Sequence, residues 1–273
     1  MLRIATFNVN GIRAAERRGF PAWFAARTPD VLAVQEMRCP EAEVPDVFCD
    51  HHLIYHPGTL AGRNGVALAT RVEPHRVRIG FGSREFDTEG RYVEADLDLA
   101  SGLRVRVASV YVPKGGTPYE DAASLAKMER KFRFLRSFAR HLTASRREAA
   151  REGREFVMMG DWNIAPDRLD IRNWRSNQKS EGFLPEEREW IGAIQSPRTL
   201  VDVVRRHTGE CEGPYSWWSW RGKAFDNDAG WRIDYQLATP ALARTVVAAG
   251  TDRDASYDTR ISDHAPVVVD YDV

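Results

Sequence analysis

Cysteine is scarce in this chain: Cys39, Cys49 and Cys211 are the three present among 273 residues, an odd number with no close pairing. That excludes a disulfide framework and a cysteine-ligated zinc site, and a reduced, intracellular (cytoplasmic) setting is the expectation. Long apolar runs are missing as well. No stretch approaches the roughly 18 consecutive apolar residues of a spanning helix, and no basic segment followed by an apolar one opens the chain, so neither membrane insertion nor secretion is expected. Net charge is absent: 39 basic and 39 acidic side chains cancel. No overall field therefore draws the protein to a polyanion, and any such partner must be held by a local patch. Lysine is nearly missing, with five Lys against 34 Arg. Arginine suits bidentate phosphate contacts, but biased codon usage produces the same excess and is the simpler cause.

What the chain does have is apolar residues enough for a large core, 43% of the total. Its length is great for one domain but within reach of two packed sheets. Strands are expected at Leu2 to Val9, Val31 to Glu36, Gly65 to Thr70, Tyr92 to Leu99 and Leu103 to Val112, the last two joined by a hairpin turn near Ser101-Gly102. Further strands are expected at Val201 to Val204, Ile233 to Ala238, Thr245 to Ala249 and Pro266 to Tyr271. Ile12 to Arg27 has helical spacing, ended by Thr28-Pro29-Asp30. A long helix is expected from Asp121 to about Glu152, with Leu125, Met128, Phe132, Leu135, Ala139 and Leu142 as its core-facing stripe. Arg130, Lys131, Arg133, Arg136 and Arg140 read as its solvated face. Residues 167 to 198 read as a structured insertion with short helices. About ten strands with few helices between them favour two packed sheets flanked by helices, in one domain over residues 1–273.

The stretch from Phe156 to Pro166 is the most informative. An apolar run suited to a strand buried on both faces meets Gly160, then presents Asp161 and Asn163. Gly160 permits close backbone approach, and Pro166 stops the strand. In an extended segment Asp161 and Asn163 point the same way, which brings a proton acceptor and an amide donor to one volume; the plainer reading is a turn. The same design recurs elsewhere: Asn8, Glu36, Tyr111, Asp234 and the pair Asp263 with His264 are read as lying at the ends of apolar strands. Each alone is weak, and a lone histidine is more often structural. Together they can converge on one mouth. Hard oxygen donors without paired cysteines or spaced histidines point to magnesium, or manganese, rather than zinc.

These residues fall in blocks that resemble the exonuclease III / apurinic-apyrimidinic (AP) endonuclease family, within the endonuclease/exonuclease/phosphatase superfamily. The blocks are Thr6 to Arg13, Gln35-Glu36, Asn64 to Ala67, Tyr111-Val112-Pro113, Gly160 to Pro166, Phe183 to Arg188, Tyr215 to Trp218, Arg232 to Tyr235 and Ser262 to Pro266. They occur in family order across nearly the whole chain. Leu184-Pro185-Glu186-Glu187-Arg188 and Ser216-Trp217-Trp218 narrow the resemblance to the DNA-repair branch. It implies a four-layer α/β sandwich, two mixed β-sheets face to face with helices outside. It implies a Mg2+-dependent phosphodiesterase that cleaves DNA 5′ to abasic sites and removes 3′ blocking groups and 3′ nucleotides.

By the same resemblance Glu36 is the principal metal ligand with Asn8 beside it, and Asp161 orients or deprotonates the attacking water. Asn163 contacts the transition state or the metal, Tyr111 lies against the scissile phosphate, and Asp234 orients His264. Asp263 completes a second metal position, and Trp217 lines the pocket for the extruded sugar. Arg91, Lys114 and Lys223 lie in or beside loops next to the blocks and are candidate DNA contacts. The expected partner is double-stranded DNA with abasic sites or 3′ ends, with no membrane, and the expected state is a monomer. The rival readings are a phosphatase or phosphodiesterase on lipid or inositol phosphates and an inactive DNA-binding scaffold. The first lacks a membrane-binding apolar surface, and the second is at odds with a competent residue at every catalytic position.

Overall fold

The computed structural model describes all 273 residues. In chain order the strands are Leu2–Asn8 (β1), Val31–Gln35 (β2), His52–His56 (β3), Val66–Thr70 (β4), Arg76–Ile79 (β5), Tyr92–Asp98 (β6), Arg104–Tyr111 (β7), Glu155–Asp161 (β8), Val201–Asp202 (β9), Asp234–Ala238 (β10), Val246–Thr251 (β11) and Val267–Tyr271 (β12). The α-helices are Ile12–Arg17 (α1), Phe20–Arg27 (α2), Ala122–Arg151 (α3), Pro185–Ile194 (α4), Val203–Thr208 (α5) and Pro240–Arg244 (α6). The strands form two six-stranded mixed sheets, ordered β11-β12-β1-β2-β4-β3 and β5-β6-β7-β8-β10-β9.

Both central pairs, β1 with β2 and β7 with β8, are parallel, and their strands are buried on both faces. Ile4, Ala33 and Leu68 from one sheet meet Val93, Val107, Val157 and Met159 from the other in the core between the sheets. The opposite faces pack outward. Phe7, Leu32 and Val34 lie against Ile12, Phe20 and Phe24 of α1 and α2, while Phe156, Met158 and Trp162 lie against Phe134, Phe138 and Leu142 of α3. Two apolar faces per strand explain the unbroken apolar runs, and the result is the four-layer α/β sandwich.

Several expectations need correction. The Ile12 to Arg27 helix is two helices, because Gly19 takes φ +109 between them. Val201 to Val204 is a strand for two residues only, after which the Asp202 side chain caps α5 through the Arg205 N–H at 3.0 Å. The ends of α3 lie where its sequence signals put them, with the Asp121 carboxylate accepting the Ser124 N–H at 2.7 Å. Its buried face keeps Leu135 and Leu142 of the expected stripe, with Phe132 at its edge, and adds Ser124, Lys131, Phe134, Phe138, Ser145 and Ala149, while Leu125 is exposed. Lys131 is therefore a buried residue and no part of a solvated face.

Beyond this apolar layer, α3 closes onto β5–β7 through charge. Arg106 donates to Asp96 and Glu148 at 2.6 Å each, and Arg78 and Ser145 both donate to Glu94. Burial pushes the Glu94 carboxyl up, but His141 at 3.6 Å, hydrogen bonds from Ser145 and Tyr92 and the Arg78 charge outweigh it and hold the group down at about 2. The folded value lies below the ordinary one of 4.5. Its contribution is thus fully present above that value and is lost as the pH falls toward 2, a swing of about 3 kcal/mol. Urea unfolding of the wild type and Glu94→Gln should show a stability gap clearly larger at about pH 6 than at about pH 3. A gap independent of pH would remove Glu94 from the network.

Candidate active site

The polar residues gather where the ends of the two sheets meet. In the second sheet Tyr111, Asp161 and Asp234 are register partners on three adjacent strands, so one row presents a phenol and two carboxylates. Gly160 makes that row close-packed: at its φ of +143 a Cβ would lie 2.0 Å from the Val110 carbonyl oxygen. In the first sheet Asn8 and Gln35 are partners at the ends of β1 and β2, and Glu36 follows in a left-handed conformation, φ +53. Gln35 Nε2 reaches across the sandwich to Ser109 Oγ at 3.1 Å.

Asn8 joins the two sheets at the site itself. Its Nδ2 donates to Glu36 Oε1 at 2.8 Å and to Asp161 Oδ2 at 2.9 Å. The Asn10 N–H on Asn8 Oδ1, at 3.0 Å, fixes which end of the amide faces the carboxylates. Asp161 and Asn163 are not side by side on an extended strand. β8 ends at Asp161, and Asn163 turns back in a left-handed conformation, φ +50. Its N–H bonds Asp161 Oδ1 at 2.9 Å, while its Nδ2 reaches Asp161 Oδ2 at 3.1 Å and the Val112 carbonyl at 3.0 Å. The turn itself aims the amide at the acid.

His264 occupies the other side. Its Nδ1 bonds Asp234 Oδ2 at 2.9 Å, and its Nε2 lies 3.8 Å from Asp161 Oδ2. Ser216 Oγ donates to the same Asp234 oxygen at 2.6 Å and accepts the Ile233 and Asp234 N–H groups. Burial alone would lower the imidazole pKa, but the charge and hydrogen bond of Asp234, with Asp161 and Asp263 nearby, raise it well above its usual value. That favours the protonated ring, and an imidazolium has no lone pair for a metal. Asp161 is raised well above the carboxylate range, first by burial, with the Asp234 and Glu36 charges adding to it against His264. Asp263 is anchored at both oxygens, by Asn10 Nδ2 at 2.7 Å and Trp217 Nε1 at 3.1 Å.

The tightest group of metal-competent side chains is Glu36, Asp161 and His264, with donor atoms within 4.8 Å of one another. With His264 protonated, the two carboxylates are its available donors. Arg38 pairs with the outer oxygen of Glu36. Four carboxylates, Glu36, Asp161, Asp234 and Asp263, thus face two cations, His264 and Arg38. With Asp161 ionised, the excess is two negative charges, which one divalent ion would balance, and the oxygen donors suit a hard ion.

These groups floor a cleft of about 400 Å³. Glu36, Tyr111, Asp161, Asn163, Asp263 and His264 line it, with Lys114 at the rim, while Trp217, Trp231 and Ile233 form its apolar side. The two indoles meet edge to face, 6.2 Å apart. Asn8 and Asp234 lie behind the lining, fully buried. Two of the expected surface contacts fall elsewhere. Arg91 is buried, its guanidinium under the Tyr111 ring and bonded to Glu89 and the Tyr111 carbonyl, so it is a brace and not a free cation. Lys223 is exposed in a turn outside the cleft lining. The sequence reading missed Arg38, Asn177, Ser180 and Trp231 in the lining. It also missed Asn10 and Ser216, which sit inside recognisable blocks but hold the site residues from behind.

Comparison with known proteins agrees with this fold. The sequence profile of the Endonuclease/Exonuclease/phosphatase family matches residues 5–264. Exodeoxyribonuclease III of Haemophilus influenzae is 30% identical, over 99% of this chain and 100% of its own. The structure of an AP endonuclease from Archaeoglobus fulgidus superposes with a TM-score of 0.82 at 30% identity, covering 100% of both chains. The 3′ phosphatase NExo from Neisseria, bound to a product DNA hairpin, superposes with a TM-score of 0.83 at 26% identity, again over 100% of both chains. The chain belongs to the endonuclease/exonuclease/phosphatase family, on its exonuclease III and AP endonuclease branch.

Proposed function

We propose that this protein is a Mg2+-dependent DNA-repair phosphodiesterase that incises duplex DNA 5′ to abasic sites and removes 3′ blocking groups and 3′ nucleotides. The observation that carries the reading is the Asn8 amide, which ties Glu36 to Asp161 across the sandwich on the floor of a cleft walled by Trp217 and Trp231. Glu36 and Asp161 would hold the ion, with Asn8 orienting both and Asn163 and Asp263 at the margin of the ion site. The ion would offset the phosphate charge and stabilise the leaving 3′ oxygen.

The chain's own groups do the rest. Asp161, with its raised pKa, accepts a proton from the water that attacks phosphorus, the P–O3′ bond breaks, and the departing 3′ oxygen takes a proton from solvent, leaving a 3′ hydroxyl and a 5′ phosphate. His264, kept cationic by Asp234, and the Tyr111 hydroxyl face the phosphate oxygens, and Asn163 donates toward charge that develops there. Trp217, with Trp231 and Ile233, offers an apolar recess that accepts a sugar lacking its base, the nucleotide whose extrusion costs least. Lys114 at the rim would meet a backbone phosphate. The molecule would act as one catalytic domain over residues 1–273, as a monomer, in the reducing cell interior that its three unpaired cysteines suit. No helix is long and apolar enough to cross a membrane.

The test is a fluorescent duplex with one abasic-site analogue, assayed with Mg2+ and then with EDTA. Clean protein should incise on the 5′ side of the lesion with Mg2+ and stop when the metal is chelated. No Mg2+-dependent incision would overturn the reading. Turnover of an inositol or lipid phosphate in its place would select the phosphatase rival.

A further inference from the structure

Midway along α3, Lys131 is completely buried. A buried ammonium is costly unless its protons are accepted, and here all three are. Lys131 Nζ donates to the Asn163 carbonyl at 2.8 Å, the Lys114 carbonyl at 3.1 Å and Glu187 Oε1 at 2.5 Å. Glu187 is 1% exposed, and its other oxygen accepts the Leu184 N–H at 3.0 Å, at the start of α4. One charge thus joins the loop after β7, the turn after β8 and the first turn of α4.

Two of those segments carry cleft residues, Lys114 and Asn163. Asn163 is held in a conformation that needs support. Asn163 is left-handed, φ +50, which is unfavourable for a residue with a Cβ. Its side chain and N–H are fixed by Val112 and Asp161, and its carbonyl by Lys131. Gly115, φ +88, lies so close that a Cβ there would be 2.8 Å from Lys131 Cδ. The β7–α3 loop therefore lies directly on the lysine stem.

We propose that Lys131, with Glu187 as its counter-ion, is a positioning residue. Its ammonium holds the backbone of Asn163 and Lys114, and through Asn163 it sets the orientation of Asp161. The inference rests on the catalytic reading of Asp161 and Asn163 given above. Lys131→Met alone strands Glu187 as an unpaired buried charge and is prone to misfold. The informative variant is Lys131→Met/Glu187→Gln, which removes both charges while leaving an amide oxygen for the Leu184 N–H.

For that double variant, melting near the wild-type temperature is expected. Incision kcat should fall about 10- to 100-fold while KM changes less than about threefold, the signature of misplaced reacting groups. Hydrogen exchange should accelerate in peptides covering 112–117 and 161–165. A folded double variant with kcat within about twofold of wild type, or with unchanged exchange in both segments, would overturn the proposal. The exchange comparison needs no activity. If the wild-type protein does not incise abasic DNA, the functional reading fails while exchange still decides whether Lys131 holds these loops.

Discussion

Asp161→Asn should incise an abasic duplex about 10³-fold more slowly than the wild type at saturating substrate, the range expected for loss of a general base. The side chains are isosteric, and the backbone contacts that place Asp161 between Tyr111 and Asp234 remain. What disappears is the proton acceptor, together with one of the two charged donors assigned to the ion, so the rates are compared at saturating Mg2+. The environment fits that role: burial, together with the Asp234 and Glu36 charges, raises the Asp161 carboxyl, bringing it closer to the operating pH than an exposed aspartate. Asn8 and Asn163 donate to Asp161 Oδ2, which leaves the carboxylate oriented but not neutralised. Single-turnover rates on pre-bound substrate are the measurement, with DNA affinity and melting temperature as controls. A rate within about tenfold of wild type would transfer the base to another group, while a lost melting transition would mean that the acid is structural first.

How far the sequence could be read depended on where each side chain is answered. Asn8, Glu36, Asp161, Asp234 and His264 could be singled out because each lies next to one end of an apolar strand (Asp234 opens β10 and His264 precedes β12) with a group that has no reason to be there on packing grounds alone. The boundaries of α3 were legible from Asp121 and from the break after Glu152. Its buried face was legible only in part: Leu135 and Leu142 are buried as expected, but Lys131 looks like a surface lysine until the Asn163 and Lys114 carbonyls and Glu187 are placed around it. β5 was missed for a related reason. Val77 and Ile79 point to solvent while Arg76 and Arg78 turn in toward Asp96 and Glu94, so the alternation is inverted relative to the rule. Arg91 shows the converse. Nothing in its local sequence separates a DNA-facing arginine from one buried under Tyr111, since that choice is made by Glu89 and the Tyr111 ring.

Glu36→Gln should lose metal more than it loses fold. Glu36 shares the Asn8 amide with Asp161 and carries one of the two charges available to an ion once His264 is protonated. Gln keeps the size of the side chain and an oxygen for Asn8, but it halves that charge, and cation affinity follows the number of charged ligands. The Arg38 pairing partner is lost as well, which leaves a guanidinium beside the ion site and deepens the effect.

Titration of Mn2+ into the DNA-free protein, with the free ion followed by electron paramagnetic resonance, tests the shared carboxylate site directly. The wild type should bind one ion, and Glu36→Gln should bind it about 10- to 100-fold more weakly at unchanged melting temperature. Equal affinity in the two proteins would place the ion away from Glu36 and contradict the site as described.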